Sequence, residues 1–167
     1  MPYTEIVLNR TYPGQACSIA RALEIVGERW TLLILRDTYR GTRRFDDLHA
    51  SLGITRGVLA ARLSRLVEEG LLERRPYQDS PERFEYHPTA KGRELWPVLM
   101  HLMLWGDRYY SAPDGPPQTA EHDGCGGRLT AELTCDRCGR RLGPGDVLLR
   151  PRHKAARAHG EAEPFSV

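Results

Sequence analysis

Two helical stretches joined by a turn at Gly53, a pair of short strands directly after the second of them, and paired cysteine turns near the C-terminus predict a mainly α (α+β) fold. The expected architecture is a winged helix-turn-helix domain carrying a long C-terminal dimerisation helix, followed by a small β extension of zinc-ribbon-like type. Residues 1–16 are expected to form a flexible arm, 17–110 the winged domain, 111–120 a linker, 121–149 the extension and 150–167 a disordered tail.

The arm contains Pro2, Pro13 and Gly14 and shows no sustained period. From Cys17 the run CSIARALEIVGERWTLLILRD predicts two short helices. The first carries Ile19, Ala20, Leu23 and Val26 and ends at Gly27. The second, from about Arg29 to Tyr39, is apolar around most of its circumference (Trp30, Leu33, Ile34, Leu35), which predicts burial under several neighbours. A third helix is expected from about Phe45 to Ala50, followed by a tight turn at Gly53.

The helix after that turn organises the rest. Thr55 is placed to cap it, since its hydroxyl can take up one of the backbone N–H groups a helix leaves unpaired, and Gly70 closes it. Leu59, Leu63, Leu66 and Val67 recur at helical spacing on one side, and Gly57, Ala61 and Ser64 on the other, with Arg62 and Arg65 at the edge of that smooth face. A long surface can approach such a face closely, and a DNA major groove is one such surface. An ordinary amphipathic helix with small solvent-facing residues is the alternative.

Strands are predicted over Leu71–Arg75 and Arg83–His87, joined by a Pro-, Asp- and Ser-rich loop; a hairpin in this position is a wing. Thr89 is expected to cap one long helix bent at Pro97. Its stripe of Leu95, Val98, Leu99, Leu102, Trp105 and Tyr109 is too wide and aromatic to leave in water. The same helix of a second copy is the economical cover, giving a homodimer; packing back on its own domain is the alternative.

The net charge of +2 offers no bulk electrostatic case for nucleic acid, so any such case rests on local clusters of arginine. Only Lys91 and Lys154 are lysines. No apolar run is long enough to cross a bilayer and the N-terminus lacks a secretory pattern, so a cytoplasmic protein without membrane contact is expected. In that compartment four cysteines point to metal or to reactive thiols more than to disulfides.

CSIARALEIVGERWTLLILRD, RRFDDL, LAARLSRLVEEGLLERRPY and EYHPTAKGREL, in that order, resemble the HxlR-type branch of MarR-like winged-helix transcription regulators over about Cys17–Tyr110. The resemblance implies a homodimer on pseudo-palindromic operator DNA, usually a repressor and sometimes an activator. The extension after Tyr110 is the departure, because the smallest members of that family lack it.

Resemblance and residue reading agree on how double-stranded DNA would be held. Thr55 and Arg56 would meet base edges or phosphates, with Arg62 and Arg65 farther along the groove. Arg43 and Arg44 would meet phosphates before the supporting helix, and Gln78, Ser80 and Arg83 would place the wing along the minor groove. Either Arg74 or Arg75 should point outward, unless it pairs with Glu73 or Glu85.

Two signals are conceivable. Cys17 lies at a helix N-terminus, near where several relatives place a reactive thiol, and the helix dipole with Arg21 one turn on would stabilise its thiolate; the alternative is a small buried hydrophobe. Trp30, Trp96, Trp105 and Tyr109 could line a pocket for a small-molecule effector, or could simply be core aromatics.

In the extension, Cys135-x-x-Cys138-Gly139 has the spacing of a zinc knuckle, and His122-x-x-Cys125-Gly126 repeats it with a histidine in the first place. The four side chains are the expected ligands of one structural zinc ion, which would largely fold so small a unit. A Cys135–Cys138 redox pair and a ribbon that folds without metal are the alternatives. A closed four-ligand site leaves no open position for substrate, and no nucleophile–base signature occurs elsewhere, so no enzyme activity is expected. A second functional reading is an architectural or protein-interaction module whose ribbon docks a partner while DNA contact is incidental.

Overall fold

The computed structural model describes residues 12–15 and 17–148. The chain divides into two compact units, Met1–Ala120 and Glu121–Val167. Most of the expected arm and all of the expected tail lie outside the described residues. Within the arm, the Tyr12 backbone N–H donates to Glu24 Oε1 at 2.8 Å.

Helix α1 spans Ser18–Val26 and ends where the Gly27 N–H bonds the Leu23 carbonyl at 2.8 Å. Helix α2 spans Thr31–Tyr39, two residues shorter at its start than the periodicity suggests. The cause is Trp30, whose φ of 80° is left-handed and cannot extend a right-handed helix. Ile34 and Leu35 are fully buried, while Leu33 is 39 % exposed. The neighbours of α2 therefore cover one side of it and leave another open.

Helix α3 runs Phe45–Leu52, a half-turn beyond the expected end, because Leu52 reaches the core. Gly53 then takes φ 63° and turns the chain into α4, Arg56–Glu68. Thr55 caps α4 as its sequence position requires, its Oγ1 accepting the Val58 N–H at 3.4 Å. Leu59, Leu63 and Leu66 are buried against Ile34, Leu35, Leu48 and Leu99, which form the centre of one core.

The wing is longer than the sequence implies. Strands β1 (Leu72–Asp79) and β2 (Glu82–Pro88) pair antiparallel up to Asp79 opposite Glu82, so only Ser80 and Pro81 remain as the turn. The register slips between Pro76 and Gln78, which makes Tyr77 a bulge. Proline lacks the N–H a regular ladder needs, and a bulge lets the strand continue past it. A short third edge, invisible in periodicity, is added where the Tyr86 N–H donates to the Arg43 carbonyl at 2.8 Å and Arg44 bridges Glu85.

The expected long C-terminal helix is two helices. Helix α5 is one turn, Ala90–Arg93, and α6 runs Trp96–Tyr110 with Pro97 in its first turn, where a missing N–H costs nothing. Thr89 ties this junction to the wing: its hydroxyl accepts the Gly92 N–H at 3.0 Å and donates to the Gly70 carbonyl at 2.6 Å. Along α6 only Leu99 is buried, whereas Val98, Leu102, Trp105 and Tyr109 are 50–61 % exposed. Leu95 and Leu99 pack the start of the apolar stripe onto the domain core, and the rest of the stripe is left exposed. Among the described residues no helix is long and apolar enough to cross a membrane.

Candidate nucleic-acid interface

Helix α4 buries its leucines and turns Gly57, Ala61 and Ser64 to solvent. The face expected to be smooth is therefore smooth and open. Around it the arginines fall into three environments.

Arg56 and Arg44 lie over aromatic rings. The Arg56 guanidinium lies 4.8 Å from the Phe45 ring centroid and pairs with Asp46 at 2.8 Å, which links the start of α4 to the start of α3. Arg44 lies 4.4 Å from the Tyr77 ring centroid and pairs with Glu85 at 3.1 Å. The Glu85 carboxyl is held below the usual carboxylate range, first by the hydrogen bond from Arg44 and then by His87. Its pairing thus adds stability above the ordinary carboxylate pKa, and that stability fades as pH falls through the depressed value. The exposed Tyr77 and the half-buried Phe45 are aromatic supports for a cation, and the sequence reading missed them because ring and guanidinium are distant in sequence or sit on a bulge.

Arg62 and Arg65 are engaged by carboxylates. Arg65 pairs with Glu69 at 2.7 Å along its own helix, an ordinary exposed i,i+4 contact. Arg62 reaches the other way, to Glu28 in the α1–α2 turn, and its side chain is only 23 % exposed. Arg62 was expected at the groove edge; the Glu28 carboxylate draws it toward the domain instead.

Arg43 and Arg83 have no carboxylate partner among the described residues and are exposed. Gln78 stands opposite Arg83 in the ladder, and its side-chain amide donates to the Ser80 carbonyl at 3.2 Å, so Gln78, Ser80 and Arg83 gather at the wing tip. Arg74 lies over Phe84 at 5.0 Å, and Arg75 pairs with Glu73.

Cys17 is exposed at the N-cap of α1. The backbone N–H groups of Ala20 and Ile19 hold its thiol below the usual value. Among the described residues the four aromatics expected to share a pocket lie apart. Trp96 lines a cavity between α2 and α6, whereas Trp30 is partly buried against the core, and Trp105 packs on Tyr109 with centroids 5.7 Å apart on the open face of α6. The reason is the pitch of α6, which points positions 96 and 105 to opposite sides.

In the second unit the two knuckles have the same backbone geometry. The His122 N–H bonds the Gly127 carbonyl and the Gly126 N–H bonds the His122 carbonyl, both at 2.8 Å; Cys135 and Gly139 repeat these bonds at 2.9 Å. Gly126 and Gly139 both have φ 69°. His122 Nδ1 lies 3.2 Å from Cys125 Sγ, and Cys135 and Cys138 occupy the other turn. Among the described residues no three of His, Cys, Asp or Glu converge on one point, so the two donor pairs are formed but not gathered into the expected four-ligand site. Leu133, on the segment between the two turns, is 65 % exposed.

A helix-turn-helix with its second helix open, arginines on both flanks and a hairpin wing beside it defines a DNA-binding transcription regulator. Residues 25–114 match the family described as HxlR-like helix-turn-helix, and the chain belongs to that family. An uncharacterized HTH-type transcriptional regulator of Mycobacterium tuberculosis is 46% identical over 144 residues, covering 86% of this chain and 90% of that protein. The crystal structure of PA1607, a candidate transcription factor, superposes with a TM-score of 0.75 at 33% identity, covering 82% of this chain and 96% of that one. The redox regulator HypR, in its reduced form, has a TM-score of 0.53 at 26% identity, over 55% of this chain and 92% of its own.

Proposed function

We propose that two copies of the chain pair through α6 and repress transcription from a pseudo-palindromic operator, releasing it when an oxidant or a small molecule acts. The observation that carries this reading is the solvent-facing line of Gly57, Ala61 and Ser64 on α4, flanked by arginines and by the wing tip. The exposed stripe of Val98, Leu102, Trp105 and Tyr109 supports the pairing, since apolar surface of this kind on a regulator calls for cover. In this reading α4 enters the major groove, Arg43 and Arg44 hold phosphates, and Arg83 follows the minor groove.

Footprinting tests it: a short two-fold site is expected, and uniform coating of DNA would instead support an architectural role. Arg43→Ala and Arg83→Ala should each weaken operator binding with melting temperature unchanged. Each should also flatten the slope of log K against log salt by about one, because one fewer phosphate is neutralised. Unchanged affinity in both variants would remove this docking.

The oxidant branch rests on Cys17, exposed and acidified at a helix start, and is supported by the likeness to HypR, a redox regulator. Diamide is expected to release operator DNA from the native chain but not from Cys17→Ser; release from both would end the thiol reading. For the extension we propose that one zinc ion draws the two knuckles together through His122, Cys125, Cys135 and Cys138. Elemental analysis of purified protein should give about one equivalent, as four-ligand structural sites do; none would refute it.

A further inference from the structure

A cavity of about 520 Å³ lies between α2, α6 and the segment Pro117–Gln118. That is within the usual size of a small-molecule site, roughly 300–1,000 Å³. Leu32, Leu99, Met100 and Met103 give it an apolar lining, and Trp96 a flat one. At about 100° per residue, Trp96, Met100, Met103 and Asp107 cluster on one side of α6, while Val98, Trp105 and Tyr109 lie on roughly the opposite side. Leu102 belongs to both the cavity lining and the stripe through which a second copy would pack, whereas Val98, Trp105 and Tyr109 do not line the cavity.

Its polar lining is uneven. Arg36 donates through Nε to the buried carboxylate of Asp37 at 2.7 Å and is balanced there. Arg40 has no carboxylate partner among the described residues; its Nη2 donates to a neutral acceptor, Gln118 Oε1, at 2.5 Å. Asp107 contributes a carboxylate outside ion-pair distance of both arginines, an acceptor for a ligand hydroxyl or amine. A carboxylate bonds a guanidinium more strongly than an amide does, so a ligand acid would displace Gln118.

We propose that this cavity binds an amphipathic organic acid, its apolar body among Leu32, Met100 and Met103 and its anionic group on Arg40 in place of Gln118. The proposal rests on the effector-controlled regulator reading, and gives that reading a site and a ligand chemistry. Occupancy would free the Pro117–Gln118 segment from α2.

Calorimetric titration of the full chain with 2-naphthoate and its uncharged analogue 2-naphthamide tests it. Naphthoate should bind at least ten-fold tighter than naphthamide, Arg40→Gln should bring the ratio close to one, and Met103→Trp should abolish binding of both by filling the cavity. Arg40 is exposed, so the first variant is expected to fold. Absence of binding, equal affinities in the native chain, an unchanged ratio in Arg40→Gln, or binding that survives Met103→Trp would each overturn the proposal. So would binding lost as protein concentration rises, which would assign the cavity to a second copy. Operator affinity of the same proteins, measured without either compound, judges the regulator reading separately.

Discussion

Gly92→Ala is expected to destabilise the winged unit by about 3 kcal/mol, at the upper end for overpacking, because the obstacle is backbone and cannot swing aside. A Cβ built at position 92 lies 2.1 Å from the Leu71 carbonyl oxygen and 3.1 Å from its carbonyl carbon. Three elements meet at that point: the exit of α4 through Gly70 and Leu71, the end of β2, and α5. The Thr89 hydroxyl and the Tyr39 hydroxyl, which donates to the Gly92 carbonyl, hold them there. Relieving the clash would push the wing away from α4, so operator affinity should fall with stability. Gly106→Ala is the internal control. It sits within α6 with nothing inside 4 Å of a new Cβ, so the loss of glycine entropy should stabilise by roughly 0.5–1 kcal/mol. Denaturant unfolding that moved both variants the same way would show that the close approach at Gly92 does not exist.

Arg62→Ala is expected to lose stability, and DNA affinity only through the loosened seating of α4, which separates it from Arg83→Ala. The Arg62 guanidinium pairs with Glu28, both side chains are less than one third exposed, and Arg62 Nε is buried without a partner. Breaking a pair in that intermediate environment should cost about 1–2 kcal/mol, between the values for exposed and buried pairs, and lower the melting temperature by several degrees. Glu28→Gln should cost similar stability while leaving Arg62 available to phosphate, so its operator affinity should hold or rise. A double-mutant cycle on stability measures the pair itself: additivity of the two single changes would show that the contact contributes nothing. The pair joins α4 to the turn that carries Trp30 with its left-handed φ, and so connects α4 to the end of α1.

The order of elements was readable because each carries its own punctuation. Gly27, Gly53 and Gly70 end helices, Thr55 and Thr89 begin them, and the leucines of α4 recur at helical spacing; all act over a few residues and need no distant partner. Errors cluster where a local signal met a distant constraint. Pro76 looked like the end of a strand, but cross-strand pairing carried β1 through a bulge to Asp79. Positions 90–110 looked like one helix, but the turn at Glu94 and Leu95 lets Gly92 pack on Leu71.

By itself the sequence determined the helix-turn-helix, the hairpin after it, which side of α4 carries leucine, and the duplicated knuckle turns, since periodicity, caps and turn residues are short-range properties of the chain. Tertiary structure alone decided where Arg40, Arg44 and Arg62 go. Arg62 and Glu28, Arg44 and Glu85, and Arg40 and Gln118 are 34, 41 and 78 positions apart in the sequence. A long flexible cation takes whichever carboxylate, ring or amide the packed core brings within reach, and only the assembled core sets that distance.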